Sequence, residues 1–135
     1  MYSKMIMERF QNPRNVGVLH GANAVGQVGS ANSSEIMKLY LNITADGKIV
    51  DAQFKAFGCA VSIACLDVMC DLLKRKDIES ALKITGKDIE KQIGEVPEHK
   101  KMCLALIEEV VRAAIQDYFE REEKEAKKAT RKAKK

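Results

Sequence analysis

No stretch of about 18 consecutive apolar residues occurs anywhere in this 135-residue chain, which excludes a helix able to cross a bilayer. The first residues, Met1-Tyr2-Ser3-Lys4-Met5-Ile6-Met7-Glu8, carry no secretory pattern. A cytoplasmic location is therefore expected, with no membrane partner. In that compartment four cysteines serve as reduced thiols or metal ligands rather than as disulfides. The chain also lacks internal repeats, a Ser-His-Asp grouping, a phosphate-cradling glycine loop and any Cys-x-x-Cys spacing. Triad hydrolysis, nucleotide binding through a P-loop and a ribbon-type zinc site are thereby set aside.

The body of the chain also lacks a net charge. The formal charge is +4, but residues 120–135 hold eight basic and four acidic residues, leaving 15 of each sign in the remainder. That basic segment has no interleaved aromatics, so it reads as a solvated, frayed helical extension rather than a nucleic-acid contact. Residues 1–119 are expected to form one domain, large enough for an ordinary core.

What is present is a cysteine at a strand-to-helix junction. The run Phe54-Lys55-Ala56-Phe57-Gly58-Cys59-Ala60-Val61-Ser62 leads out of a strand pattern into a helical one. A second cysteine, Cys103, opens another long helical pattern. A thiol at a helix start meets unpaired N–H groups and the positive end of the helix dipole, which favour the thiolate. Two such positions in a small domain point to metal or sulfur chemistry.

Periodicity supplies the frame. Tyr2, Met5, Ile6 and Phe10 predict a short helix that stops near Asn12-Pro13. Met37, Leu39, Leu41 and Ile43 alternate with polar neighbours, Asp46-Gly47 signals a hairpin, and the return strand Ile49–Phe57 places Val50, Ala52, Phe54 and Ala56 on one face. Val25–Ser30 is a candidate third strand. A helix is expected from Cys59 to about Lys76, then short segments near Asp77–Thr85 and Lys87–Ile93. The last helix runs from about Glu98 to Phe119 or beyond, with Leu104, Ile107, Val111, Ala114, Ile115 and Tyr118 as its buried stripe. Strands first and helices after predict an α+β fold, a small three-stranded antiparallel sheet with helices packed on one face.

Asn12-Pro13-Arg14-Asn15-Val16-Gly17, Met37-Lys38-Leu39, Phe54-Lys55 with Gly58-Cys59, and Cys103 followed by Ala113-Ala114-Ile115 resemble the IscU/NifU-type iron–sulfur cluster scaffold. The similarity runs in order from Tyr2 to about Tyr118. It implies a non-catalytic scaffold or carrier that assembles a [2Fe–2S] or [4Fe–4S] cluster, takes sulfur from a cysteine desulfurase and passes the cluster to apoproteins. Family members use three cysteines, an aspartate two residues after the first and often a histidine before the third. Here Ser33 stands at the first cysteine, Glu35 at the aspartate and Met102 at the histidine, while Cys59 and Cys103 survive. The chaperone-recognition motif is altered to Val96-Pro97-Glu98-His99-Lys100, which argues against transfer through that chaperone.

By this resemblance Cys59, Cys103 and Glu35 are the expected metal and cluster ligands. Cys103, beside a Gly94–His99 stretch taken as mobile, is the expected sulfur acceptor. Clusters usually need four ligands, mostly thiolates. Two protomers could each supply Cys59 and Cys103 across a two-fold interface, or the desulfurase could lend a ligand; the homodimer is the favoured reading. A cluster-free regulatory module that still binds the desulfurase, and a zinc site on Cys59, Cys103 and Glu35, are the rivals; zinc could also stand in for the cluster. Cys65 and Cys70 lie too far along the helix from Cys59 to share one iron, roughly 9 and 16 Å by helical rise, and read as core residues. His20, His99 and Lys101 read as solvated.

Overall fold

The computed structural model describes residues 3–29 and 35–133, with side chains described as far as residue 129. Ser33 lies outside the described residues. Ser3 caps the first helix, α1 (Lys4–Gln11), by accepting a hydrogen bond from the Ile6 N–H at 3.1 Å. Its hydroxyl also donates to the Ile93 carbonyl at 3.1 Å, fastening the helix start to a later element.

Three antiparallel strands follow, β1 (Ala24–Gly29), β2 (Ile36–Ile43) and β3 (Ile49–Phe57), in the order β1-β2-β3. The β2–β3 connection turns at Gly47, whose φ of +84° is glycine's own territory. The expected face of β3 is corrected at one residue. Pairing slips between Asn42↔Asp51 and Ile43↔Ile49, leaving Val50 as the extra residue of a bulge. Ile49 is therefore fully buried, and Val50 is turned out to 53% exposure. A period-two reading cannot anticipate this, because the bulge resets the alternation.

The helices all pack on one face of the sheet. Helix α2 (Ala60–Leu73) lies under β3 and is apolar on nearly every side. It is enclosed by the sheet, α1, α4 (Gly86–Ile93) and α5 (Lys101–Ala133). Short α3 (Ile78–Leu82) and a 3₁₀ turn (Glu98–Lys100) complete the chain. Helix α5 crosses β1 so closely that a Cβ on Gly26 would lie 2.4 Å from the Ala114 backbone nitrogen. Its stripe of Leu104, Ile107, Val111, Ala114, Ile115 and Tyr118 is buried as the spacing indicates. The helix continues to Ala133, and residues 119–129 are exposed.

The Asn12–Gly17 motif acts as a clamp. Asp67, fully buried on α2, accepts hydrogen bonds from the N–H groups of Arg14 (3.0 Å) and Asn15 (2.8 Å) and pairs with the Arg9 guanidinium. The Asn15 amide donates to the Asp67 carbonyl and to Asp71, both at 3.0 Å. The Asn15 carbonyl accepts from the Phe54 N–H at 2.9 Å, which ties the loop to β3 as well. Helix α2 and strand β3, the two elements that meet at Cys59, are thus joined through one loop.

Candidate metal centre

Gly58 follows the end of β3 and Cys59 is the N-cap of α2, with extended backbone (φ −80°, ψ 168°). Its carbonyl accepts from Ile63 N–H at 3.2 Å, while its side chain makes no capping bond and is free to point elsewhere. Cys103 lies in the first turn of α5. The fold brings these two starts together, with 3.9 Å between the sulfurs. Glu35, immediately before β2, completes the group. Its Oε1 lies 4.0 Å from Cys103 Sγ and 3.5 Å from the Cys59 N–H. One ligand atom from each of Glu35, Cys59 and Cys103 lies within 4.8 Å of the other two.

The carboxylate reaches the thiols only because residue 58 has no side chain. A Cβ there would sit 2.1 Å from Glu35 Oε2. Two soft sulfurs and one hard oxygen, each from a different segment, form a donor set suited to a thiophilic metal or an iron–sulfur cluster.

The electrostatics depart from the expectation of a helix start favouring thiolate. Burial pushes the Cys103 thiol up, and the neighbouring Cys59 and Glu35 raise it further, against a hydrogen bond from Ser62 that lowers it. A bound cation would reverse this balance, since a coordinating thiol is deprotonated by the metal itself. Cys103 is only 2% exposed, whereas Cys59 is half-buried. The Gly94–His99 stretch beside Cys103 is anchored. Val96 is buried, and its N–H donates to Glu90 at 2.8 Å.

Cys65 and Cys70 do not join the group. Both are fully buried, and burial pushes Cys65 up to about 12 and Cys70 well above an ordinary thiol, so they remain inert core residues. Lys101 is 3.6 Å from Glu98 and 3.8 Å from Glu95, which engages its charge away from the thiols. His20 and His99 are exposed, and so is Met102, at 69%.

One neighbour escaped the sequence reading. Ser62 Oγ lies 3.4 Å from Cys59 Sγ. Its signal was available: a hydroxyl three residues after the cysteine, on the same side of the helix, in an otherwise apolar turn.

Comparison with known proteins agrees with this fold. The family described as "NifU-like N terminal domain" matches residues 1–125. The "Iron-sulfur cluster assembly scaffold protein IscU 1" of Archaeoglobus fulgidus is 40% identical over 119 residues, covering 88% of this chain and 77% of that protein. The "Iron-sulfur cluster assembly scaffold protein IscU" of Aquifex aeolicus is 37% identical over 119 residues, covering 87% and 76%. Among solved structures, the N-terminal part of a nitrogen-fixing NifU-like protein from Brucella abortus superposes with a TM-score of 0.70 at 20% identity, over 87% of this chain and 94% of that one. It supports the architecture alone.

Proposed function

The chain belongs to the NifU-like N-terminal domain family, and we propose that it is a scaffold that holds an iron–sulfur cluster, [2Fe–2S] or [4Fe–4S], as cargo between Cys59 and Cys103. Glu35 supplies a carboxylate donor. The observation that carries this reading is the convergence of the three ligand atoms within 4.8 Å. Relatives named as cluster assembly scaffolds support a binding and handing-on role rather than turnover. In this reading the work is done in the cytoplasm, with a cysteine desulfurase as sulfur donor and apoproteins as recipients.

Three donors are one short of what a cluster takes, and only two of them are thiolates. A second copy placed across a two-fold axis would supply Cys59 and Cys103 again and close the set at four sulfurs. Two large apolar side chains next to the thiol-bearing residues favour a covered rim: Phe57 is 72% exposed and Met102 69%. Cys103 is the sulfur acceptor. Its thiolate attacks the terminal sulfur of a desulfurase persulfide, the sulfur–sulfur bond breaks, and the desulfurase leaves as thiolate. Because Cys103 is 2% exposed, docking of the desulfurase must uncover it.

Protein purified without oxygen should be brown. It should contain iron and sulfide in about equal amounts, and about one cluster per two chains, on particles of dimer mass. A strictly monomeric particle with a full cluster eliminates the shared arrangement. Colourless protein with stoichiometric zinc and no sulfide eliminates the cluster reading in favour of a zinc site, which the same donor set fits with one open position.

Gly58→Ala should leave the fold intact, because the three atoms nearest the added methyl all belong to the end of the Glu35 side chain. It should drive the carboxylate away from the thiols and weaken zinc binding by about 10-fold, a typical effect of disturbing a metal's immediate surroundings. Unchanged affinity in a zinc competition titration would remove Glu35 from the donor set.

A further inference from the structure

Asn15, Ser62 and Asp67 are the buried polar residues among those described. Asn15 and Asp67 satisfy each other within the clamp. Ser62 stands outside that clamp, beside the two thiols, where it also lowers the Cys103 thiol, and its turn of α2 is otherwise built from Ala60, Val61, Ile63 and Ala64. A hydroxyl removed from water needs a partner, and the Cys59 sulfur lies 3.4 Å away.

We propose that Ser62 is a positioning residue of the metal centre, its hydroxyl donating a hydrogen bond to the Cys59 sulfur and aiming that sulfur at Cys103 and Glu35. This rests on the reading of Cys59 as a ligand. In the free thiol either atom can donate. Once a metal has displaced the thiol proton, the sulfur can only accept, so the bond runs from the serine O–H to sulfur. Such a bond fixes the side-chain rotamer of Cys59 and draws electron density from the ligating sulfur. Both effects belong to the outer shell that orients ligands and tunes the metal. The competing role is local: a serine in a helix can instead bond to a carbonyl of the preceding turn, and it would then leave the metal untouched.

Cobalt(II) is the probe, because thiolate-to-cobalt charge-transfer absorption reports directly on the sulfur. Wild-type protein, Ser62→Ala and Ser62→Thr are titrated anaerobically with cobalt and then with competing zinc, after thermal unfolding has shown each to be folded. Ser62→Ala should bind both metals about 10-fold more weakly. Its charge-transfer band should move to lower energy, since the sulfur lone pairs lose a stabilising proton donor. Ser62→Thr, which keeps the hydroxyl, should restore the band. A Ser62→Ala variant with wild-type affinity and an unshifted band overturns the proposal while leaving Cys59 as a ligand. A wild-type chain with no thiolate-to-cobalt band at all overturns the ligand reading and this proposal with it.

Discussion

Asp67→Ala should be the most destabilising single change in this molecule, at about 3–5 kcal/mol, the cost of removing one partner from a buried ionic network. The carboxylate is fully buried and serves the Arg9 guanidinium and the N–H groups of Arg14 and Asn15 together. Truncation leaves two backbone donors with no acceptor and takes from the largely enclosed Arg9 cation one of its two carboxylates, Asp71 being the other. Against a total stability of roughly 5–15 kcal/mol for a domain of this kind, that loss shifts the urea midpoint far downward. A loss below about 1 kcal/mol, no more than an exposed pair would give, would show that the clamp is ornamental.

The same network carries an acid dependence. Burial works to raise the Asp71 carboxyl, but hydrogen bonds from Asn15 and Arg9 and the charges of Arg9 and Lys74 outweigh it and hold it below the usual carboxylate range. A depressed native pKa means that Asp71 contributes stability above its unfolded value of about 3.9 and loses it as pH falls through the lower native value.

Cys59→Ala and Cys103→Ala should each abolish the cluster. Either substitution leaves one thiolate and one carboxylate in a protomer, and two sulfurs rather than four across a symmetric pair. The expected loss of iron and zinc affinity exceeds the roughly 10–100-fold that attaches to outer-shell partners. Neither change should unfold the protein, since each thiol lies at a helix start beside the site rather than in the middle of the core. Cys65→Ala and Cys70→Ala are the controls. Their sulfurs are sealed within α2, so iron and sulfide should stay at wild-type levels. Full retention of iron and sulfide by either Cys59→Ala or Cys103→Ala would defeat the ligand assignment, and equal loss in the controls would show that the assay reads folding instead.

The strands, the hairpin at Gly47 and the buried stripe of α5 were legible because each depends on a local period or a single turn residue. Val50 was misplaced because a bulge is decided by pairing with β2, which lies outside the strand's own pattern. The Asn12–Gly17 motif was legible as a family mark but mute about its role. Its main partner, Asp67, is more than 50 residues away and reads in the sequence as one acid within an apolar helix. The expectation of a thiolate at each helix start failed at Cys103, because the dipole argument counts only local backbone. Burial and two electronegative neighbours come from other segments. The stretch beside Cys103 looked loose on composition, yet the buried Val96 and its bond to Glu90 hold it.

The amino-acid order by itself determined which segments could be helix or strand, which residue types were available to bind metal, and that Gly58 could bring Cys59 sharply out of a strand. These are matters of dihedral preference, periodicity and side-chain chemistry, acting over a few residues. Tertiary structure alone decided that Glu35, Cys59 and Cys103 share one small volume, that Cys65 and Cys70 do not, and that Ser62 belongs beside the first sulfur. Those outcomes follow from the packing of α2 and α5 against one face of the sheet, and no local rule specifies a distance between residues 44 positions apart.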